Sequence, residues 1–282
     1  MSIYIVWNNV VFEETAVGIS DALFISGFDA KIQKNNDFFD DSLYIMMGLH
    51  RFNLNDKLPK NFIAIQSEQL GSKWITKDYL SVLSRARVVW DFSDRNIQYF
   101  NKSLSIPCRD IGTRVPMDVF YPDSPSMKRH FSGRQKDIDI LFYGARCPRR
   151  ESMELKFKKN GFNTVFRYYD LFREERDDLI SRSKVVLNIH YYIPSSLETH
   201  RIEYLCSRGK CVISENSSDV ILDKKFTQSI LFSSTENMVK LATKFVNDEK
   251  ARSFMEECAQ KHSMSRQSNT RVLVESLREV AL

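Results

Sequence analysis

Short apolar runs alternate with longer segments of helical spacing in this chain, and they do so in two successive series. In the first, Ile3–Trp7, Leu43–Met47, Phe62–Ile65 and Val88–Trp90 are separated by Glu14–Ser26, which stops at Gly27, and by Asp78–Ser84; Ser93–Phe100 follows. In the second, Ile138–Tyr143, Thr164–Phe166, Val185–Ile189, Cys211–Ser214 and Ile230–Phe232 alternate with Arg149–Asn160, Arg173–Ser181 and Leu197–Ser207, before Met238–Val246 and a closing helical pattern through Leu273–Val280. Ser233-Ser234-Thr235-Glu236 reads as a capping box ahead of Met238. Runs this short and this apolar are strands buried on both faces, and strands of that kind sit in parallel sheets covered by helices on each side. The fold class is therefore α/β, with two such sheets.

Pro107, Pro116, Pro122 and Pro125 crowd between the two series, followed by the polar stretch 126–136. The boundary falls there. The expected division is an amino-terminal domain over 1–122, a linker over 123–136 and a carboxyl-terminal domain over 137–282, whose last helix is able to pack back on the first domain. Ligands of open parallel sheets bind outside the carboxyl ends of the strands. With two sheets, the expected site is an interdomain cleft, and its residues are the polar ones just after each strand.

Composition removes several classes of function. The chain has 9 glycines in 282 residues, where average usage of about 7% would give about 20. Neither GxxxxGK[ST] nor GxGxxG occurs, which excludes a Walker or dinucleotide loop. Five cysteines, odd in number and without a CxxC pair, point to reduced thiols and no zinc site. No basic-then-apolar leader and no apolar run of the roughly 18 residues a bilayer requires is seen, so a cytoplasmic protein without a transmembrane segment is expected. The net charge is +5, and Arg146–Lys159 holds six basic residues against two acidic ones. That suits a local anionic ligand better than a continuous nucleic-acid stripe.

Two strand-to-helix junctions carry the chemistry. At the first, the strand Ile138–Tyr143 delivers Gly144, then Arg146, Arg149 and Arg150 at the start of a helix. Helix N-terminal N–H groups favour an anion, and arginine adds paired donors for phosphate oxygens. A solvated basic turn is the competing reading. At the second, His190, Glu198, Arg201 and Glu203 crowd one junction; Glu198 and Arg201, three apart, either pair with each other or serve a ligand. In the first series Glu13, Glu14, His50, Glu68 and Asp91 all lie just after strands or at a helix start, and each could act as a general base. Asp137-Ile138-Asp139 lies at the wrong end of its strand for a metal site, and no metal constellation is assigned.

The second half resembles the carboxyl domain of group-1-like GT-B glycosyltransferases of the CgeB type. The resemblance rests on Asp139–Gly144 followed by Arg149-Arg150, on Glu198–Glu215 (ETHRIEYLCSRGKCVISE), and on Ile111-Gly112-Thr113 through Val119-Phe120-Tyr121-Pro122. Gln66–Leu70 and Val89–Ser93 with Asn96 are similar to relatives of the same set. One departure stands out: the family has an arginine three residues before its helix glutamate, whereas here Arg201 is followed by Glu203 two residues on. A second resemblance, to phage DNA-base glucosyltransferases, rests on Asn8-Asn9-Val10, Glu14-Thr15 and Arg150-Glu151-Ser152.

These resemblances imply two Rossmann-like domains and transfer of a sugar from a nucleoside-diphosphate sugar to an acceptor hydroxyl, without a cofactor or metal. They place Gly144, Arg146, Arg149, Arg150, His190, Glu198, Arg201 and Glu203 around the donor, with Glu198 or Glu203 on the ribose. Glu14, Glu68 and His50 are the implied catalytic residues on the acceptor side, Glu14 being favoured by the phage resemblance. The implied acceptor is a glycan or surface polysaccharide; hydroxymethylated DNA, and a catalytically silent nucleotide-binding module, are the alternatives.

Overall fold

Each series of alternating segments folds into its own parallel sheet. A computed structural model describes residues 2–33, 37–52, 57–110, 135–265 and 270–281. The Ile111–Pro122 motif and Pro116, Pro122 and Pro125 lie outside the described residues. The chain divides into one unit of residues 1–128 with 266–282 and a second of 129–265.

The first unit contains β1 (Ile3–Trp7), α1 (Glu13–Ile25), β2 (Ala30–Gln33), β3 (Leu43–Met47), β4 (Phe62–Ile65), α2 (Lys77–Leu83), β5 (Val88–Asp91), α3 (Asp94–Ser103), β6 (Cys108–Asp110) and, at the end of the chain, α10 (Thr270–Ala281). Its six strands are ordered β2-β1-β3-β4-β5-β6, all parallel. Every residue of β3, β4 and β5 is buried, as their unbroken apolar sequence requires. One face packs Ile5, Ile45 and Ile63 against α1 and against Leu273 and Leu277 of α10. The other packs Tyr44, Phe62, Val89 and Phe100 with α2 and α3. Trp90 Nε1 donates to Ser276 Oγ at 2.7 Å, tying the returning helix to β5, beside the edge strand.

The second unit contains β7 (Ile138–Gly144), α4 (Pro148–Lys159), β8 (Thr164–Tyr168), α5 (Arg173–Arg182), β9 (Ser183–Asn188), α6 (Thr199–Ser207), β10 (Cys211–Glu215), α7 (Val220–Lys224), β11 (Leu231–Ser233), α8 (Met238–Asn247) and α9 (Glu249–Ser265). Its order is β11-β10-β9-β7-β8, again parallel throughout. Pro148 opens α4 at a position where a missing N–H costs nothing.

Both sheets thus have the same connectivity: the first strand of each is flanked by the second on one side and the third on the other. The strand order reverses between β1 and β3 in one unit and between β7 and β9 in the other. Such a switch point is where open parallel sheets bind ligands.

Several elements differ from expectation. Strands β2 and β6 are sheet edges; Lys31 and Ile32 of β2 are exposed, so the strand lacks the uniformly apolar pattern of a central one. The capping box does not form: α8 begins at Met238, and Thr235 Oγ1 instead donates to Glu215 Oε1 at 2.6 Å. Helix α6 begins at Thr199 rather than Leu197, leaving Glu198 at its N-cap position.

Candidate active site

In the second unit, polar side chains from three strand ends and two helices meet at the β7/β9 switch point. Asn188, the last residue of β9, is wholly buried and organises the centre. Its carboxamide oxygen accepts from Arg201 Nη1 at 3.1 Å, and its Nδ2 donates to Glu198 Oε2 at 2.8 Å and Ser214 Oγ at 3.0 Å. Glu198 and Arg201 are therefore bridged through Asn188. Glu198 also receives His190 Nδ1 at 2.7 Å. Burial opposes charge on Glu198, but the His190 hydrogen bond and the charges of His190 and Arg201 outweigh it and hold the carboxyl at about 2. Burial likewise disfavours a protonated His190, yet Glu198 outweighs it and raises the imidazole above its ordinary value. His190 Nε2 is buried and has no hydrogen-bond partner among the described residues.

Gly144, ending β7, has φ +152°, a region that side-chain-bearing residues rarely adopt. A Cβ there would lie 2.8 Å from Arg201 Nη2 and 3.3 Å from Arg150 Nη1. Two guanidinium groups thus press on one bare Cα. Arg150 is 3% exposed and bonds only carbonyl oxygens: Ile189 through Nε (2.9 Å) and Nη2 (2.6 Å), and Ala145 through Nη1 (2.7 Å). Burial first, and then the neighbouring charge of Arg201, lower its pKa to about 10.

The remaining predicted donor residues divide sharply. Arg149 makes a two-pronged pair with Glu215, the buried last residue of β10, which also accepts from the backbone N–H of His190 at 2.8 Å. Arg146 sits at the rim, exposed, with Nε 2.7 Å from Glu151 and its guanidinium over the ring of Tyr168. Glu203 is not part of this cluster. It is fully buried on α6 and faces His262 of α9 at 3.5 Å. Gly144, Arg149, Arg150, His190, Glu198 and Arg201 are brought together; Arg146 borders them and Glu203 does not join. Asn188 and Glu215 were missed because they end apolar strands, yet a lone Asn in Val185–Ile189 and a Glu closing Cys211–Glu215 are visible signals in the sequence.

At the β1/β3 switch point of the first unit, Asn8 Nδ2 donates to the carbonyl of Gly48 at 2.8 Å. Gly48 has φ +76°, and a Cβ there would come within 2.1 Å of Asn8 Oδ1, so the turn into His50 admits no side chain. His50 Nδ1 lies 3.3 Å from Glu68 Oε1. Burial, and then Arg51, depress His50 to about 4, leaving it neutral near pH 7; burial raises Glu68. Behind Glu68, Gln66 receives the Glu68 N–H at 2.5 Å and donates to Asp91 Oδ2 at 2.8 Å. Asp91 also accepts from the N–H groups of Phe92 and Ser93 and from Asn96, while burial pushes its carboxyl up to about 7. Two predicted catalytic residues, His50 and Glu68, are in contact. Glu14 lies in the first turn of α1, and its side chain is outside the described residues. Among the described residues no group of three or more His, Cys, Asp or Glu side chains could hold a metal.

No family model matches the chain. It is 26% identical over 221 residues to the uncharacterised protein L140 of Acanthamoeba polyphaga mimivirus, covering 75% of this chain and 68% of that one. Three solved structures share its architecture nearly end to end. Sucrose-phosphate synthase from Thermosynechococcus elongatus superposes with TM-score 0.61 at 12% identity, over 99% of this chain and 98% of that one. WaaG, a glycosyltransferase involved in lipopolysaccharide biosynthesis, gives 0.59 at 10% identity over 99% of both chains. The fold is GT-B. Anabaena HepE, solved in complex with UDP and glucose, gives 0.61 at 9% identity over 98% of this chain and 99% of that one. The narrower resemblances, to CgeB-type proteins and phage DNA-base glucosyltransferases, rest on sequence motifs alone. No helix among the described residues is long and apolar enough to cross a membrane.

Proposed function

We propose that this GT-B chain is a glycosyltransferase that moves a sugar from a nucleoside-diphosphate sugar to an acceptor hydroxyl of a glycan. The observation that carries the reading is the approach of Arg150 and Arg201 to Gly144 at the β7/β9 switch point. Neither guanidinium faces a carboxylate within ion-pair distance among the described residues, so their charge is available to an anion. A diphosphate placed there receives both, and Arg149 and Arg146 supply further donors from the helix start. As the bond from the anomeric carbon to the diphosphate oxygen breaks, the electron pair leaves with that oxygen, and fixed guanidinium groups stabilise the charge without reorganisation and without a metal. Glu198, ionised and held by His190 and Asn188, accepts the ribose hydroxyls. HepE, which binds UDP and glucose on the same fold, supports a nucleotide sugar as donor.

The first unit takes the acceptor. Glu68, raised by burial and backed by neutral His50, accepts the proton of the attacking hydroxyl as its oxygen bonds to the anomeric carbon. A glycan acceptor is favoured over DNA because residues 1–135 hold 16 Lys/Arg against 15 Asp/Glu, and a duplex binder needs a basic surface.

The test is a thermal-shift series against UDP, GDP, ADP and TDP sugars, with wild type and Arg201→Ala. A nucleotide at 100 times its dissociation constant adds about 2.7 kcal/mol of stability. The wild type responds to one nucleotide and the variant does not. If no nucleotide moves the melting curve, or both proteins respond alike, the donor assignment is wrong.

A further inference from the structure

The proposed acceptor site of the first unit carries two cations that make no ion pair among the described residues. Arg51, directly after His50, places its guanidinium 5.7 Å from the ring centroid of Trp74, and Lys73 places Nζ 5.1 Å from the same ring. Both side chains are exposed, and neither has an ion pair among the described residues. Single exposed cations are ordinary; two leaning on one aromatic ring beside a carboxylate are not.

The ring stands beside the candidate base, and the Trp74 backbone is tied to it. Trp74 N donates to Ser72 Oγ at 3.2 Å, and Ser72 Oγ donates to Glu68 Oε2 at 2.9 Å. The His50 ring lies 5.1 Å from the Trp74 ring. Indole, carboxylate and imidazole therefore adjoin one another, and two positive charges lie over the indole. Stacking on the indole holds both cations beside the carboxylate, where they offer donors to an anionic substituent. The near balance of charge over residues 1–135 provides no stripe to follow a polynucleotide backbone.

We infer that the acceptor is an acidic saccharide, whose carboxylate or phosphate is held by Arg51 and Lys73 beside Trp74. This rests on the glycosyltransferase reading above and adds the class of acceptor to it.

The experiment titrates the full chain, read by tryptophan fluorescence, with cellobiouronic acid against cellobiose and with glucose 6-phosphate against glucose. UDP thermal shifts are recorded on the same preparations. An acidic probe is expected to bind about tenfold tighter than its neutral counterpart, the value of one charge-assisted contact at an exposed site. Whichever acidic probe shows the gap identifies carboxylate or phosphate. Arg51→Gln/Lys73→Gln abolishes the gap while leaving the UDP shift intact, and Trp74→Phe removes the fluorescence response. Equal affinity for acidic and neutral probes, a gap that survives the double variant, or tighter binding of a hydroxymethylcytosine oligonucleotide overturns the inference. A wild type that responds to none of the UDP, GDP, ADP and TDP sugars overturns the donor reading alone, because the saccharide titrations are read without donor.

Discussion

Replacing Gly144 with alanine asks one methyl group to occupy the point where two guanidinium groups meet. At φ +152° the alanine backbone is strained, which costs of order 1–3 kcal/mol. The new Cβ would also stand 2.8 Å from Arg201 Nη2, about an ångström inside a comfortable contact. Arg201 ends a flexible side chain, so it swings aside and gives up its 3.1 Å bond to Asn188. A hydrogen bond to a charged group contributes about 1.5–3 kcal/mol, so a diphosphate that depended on that guanidinium loses at least about tenfold in affinity. Gly161→Ala separates the two effects: its φ is +80°, yet a Cβ there meets nothing within 4 Å. The assay is urea denaturation together with calorimetric titration of UDP. Gly161→Ala should lose only the backbone contribution and keep UDP binding, while Gly144→Ala loses more stability and UDP binding with it. Unchanged UDP affinity in Gly144→Ala, or an equal loss in Gly161→Ala, would refute the placement of the diphosphate.

Three further outcomes follow from the same geometry. The native Asp91 carboxyl, raised to about 7 from an ordinary 3.8, contributes stability that is fully present below pH 4 and lost as pH rises through 7. His50, depressed to about 4, acts in the opposite sense between pH 4 and 6.5. Unfolding free energies of wild type and Asp91→Asn, compared at pH 5 and pH 8, should therefore diverge in favour of the variant as pH rises; a constant gap would show that Asp91 is ionised throughout. Leu277→Ala, at a fully buried position on α10, should cost about 2–5 kcal/mol in denaturant unfolding; a smaller loss would mean that the returning helix is not part of the first unit's core. Glu198→Gln should lower the pKa of His190 in a histidine NMR titration, because burial then acts without the carboxylate; an unmoved resonance would break the pair.

The sheets were legible because their central strands are apolar on both faces, a pattern with few other solutions. The edges of the first sheet escaped, β2 because it carries Lys31 and Gln33 and β6 because it is three residues long, whereas the edges β8 and β11 of the second were visible. In the donor site, Gly144 and the arginines stood out as a charged cluster after a strand. Their separate duties did not, since only packing shows that Arg150 braces two carbonyls while Arg201 reaches Glu198 only through Asn188. The choice between Glu198 and Glu203 could not be made from spacing, because it depends on which side of α6 faces α9. The contact between His50 and Glu68 was equally invisible, being set by strand register.

The chain leaves the first unit, completes the second, and returns for its final helix. During synthesis the second unit therefore has all its residues in hand before the first does, since Leu273, Ser276 and Leu277 emerge after it. Until they do, the Trp90 indole lacks its Ser276 partner and one side of the earlier sheet is covered by α1 alone. The later-made half can mature first, and the earlier-made half waits on the tail.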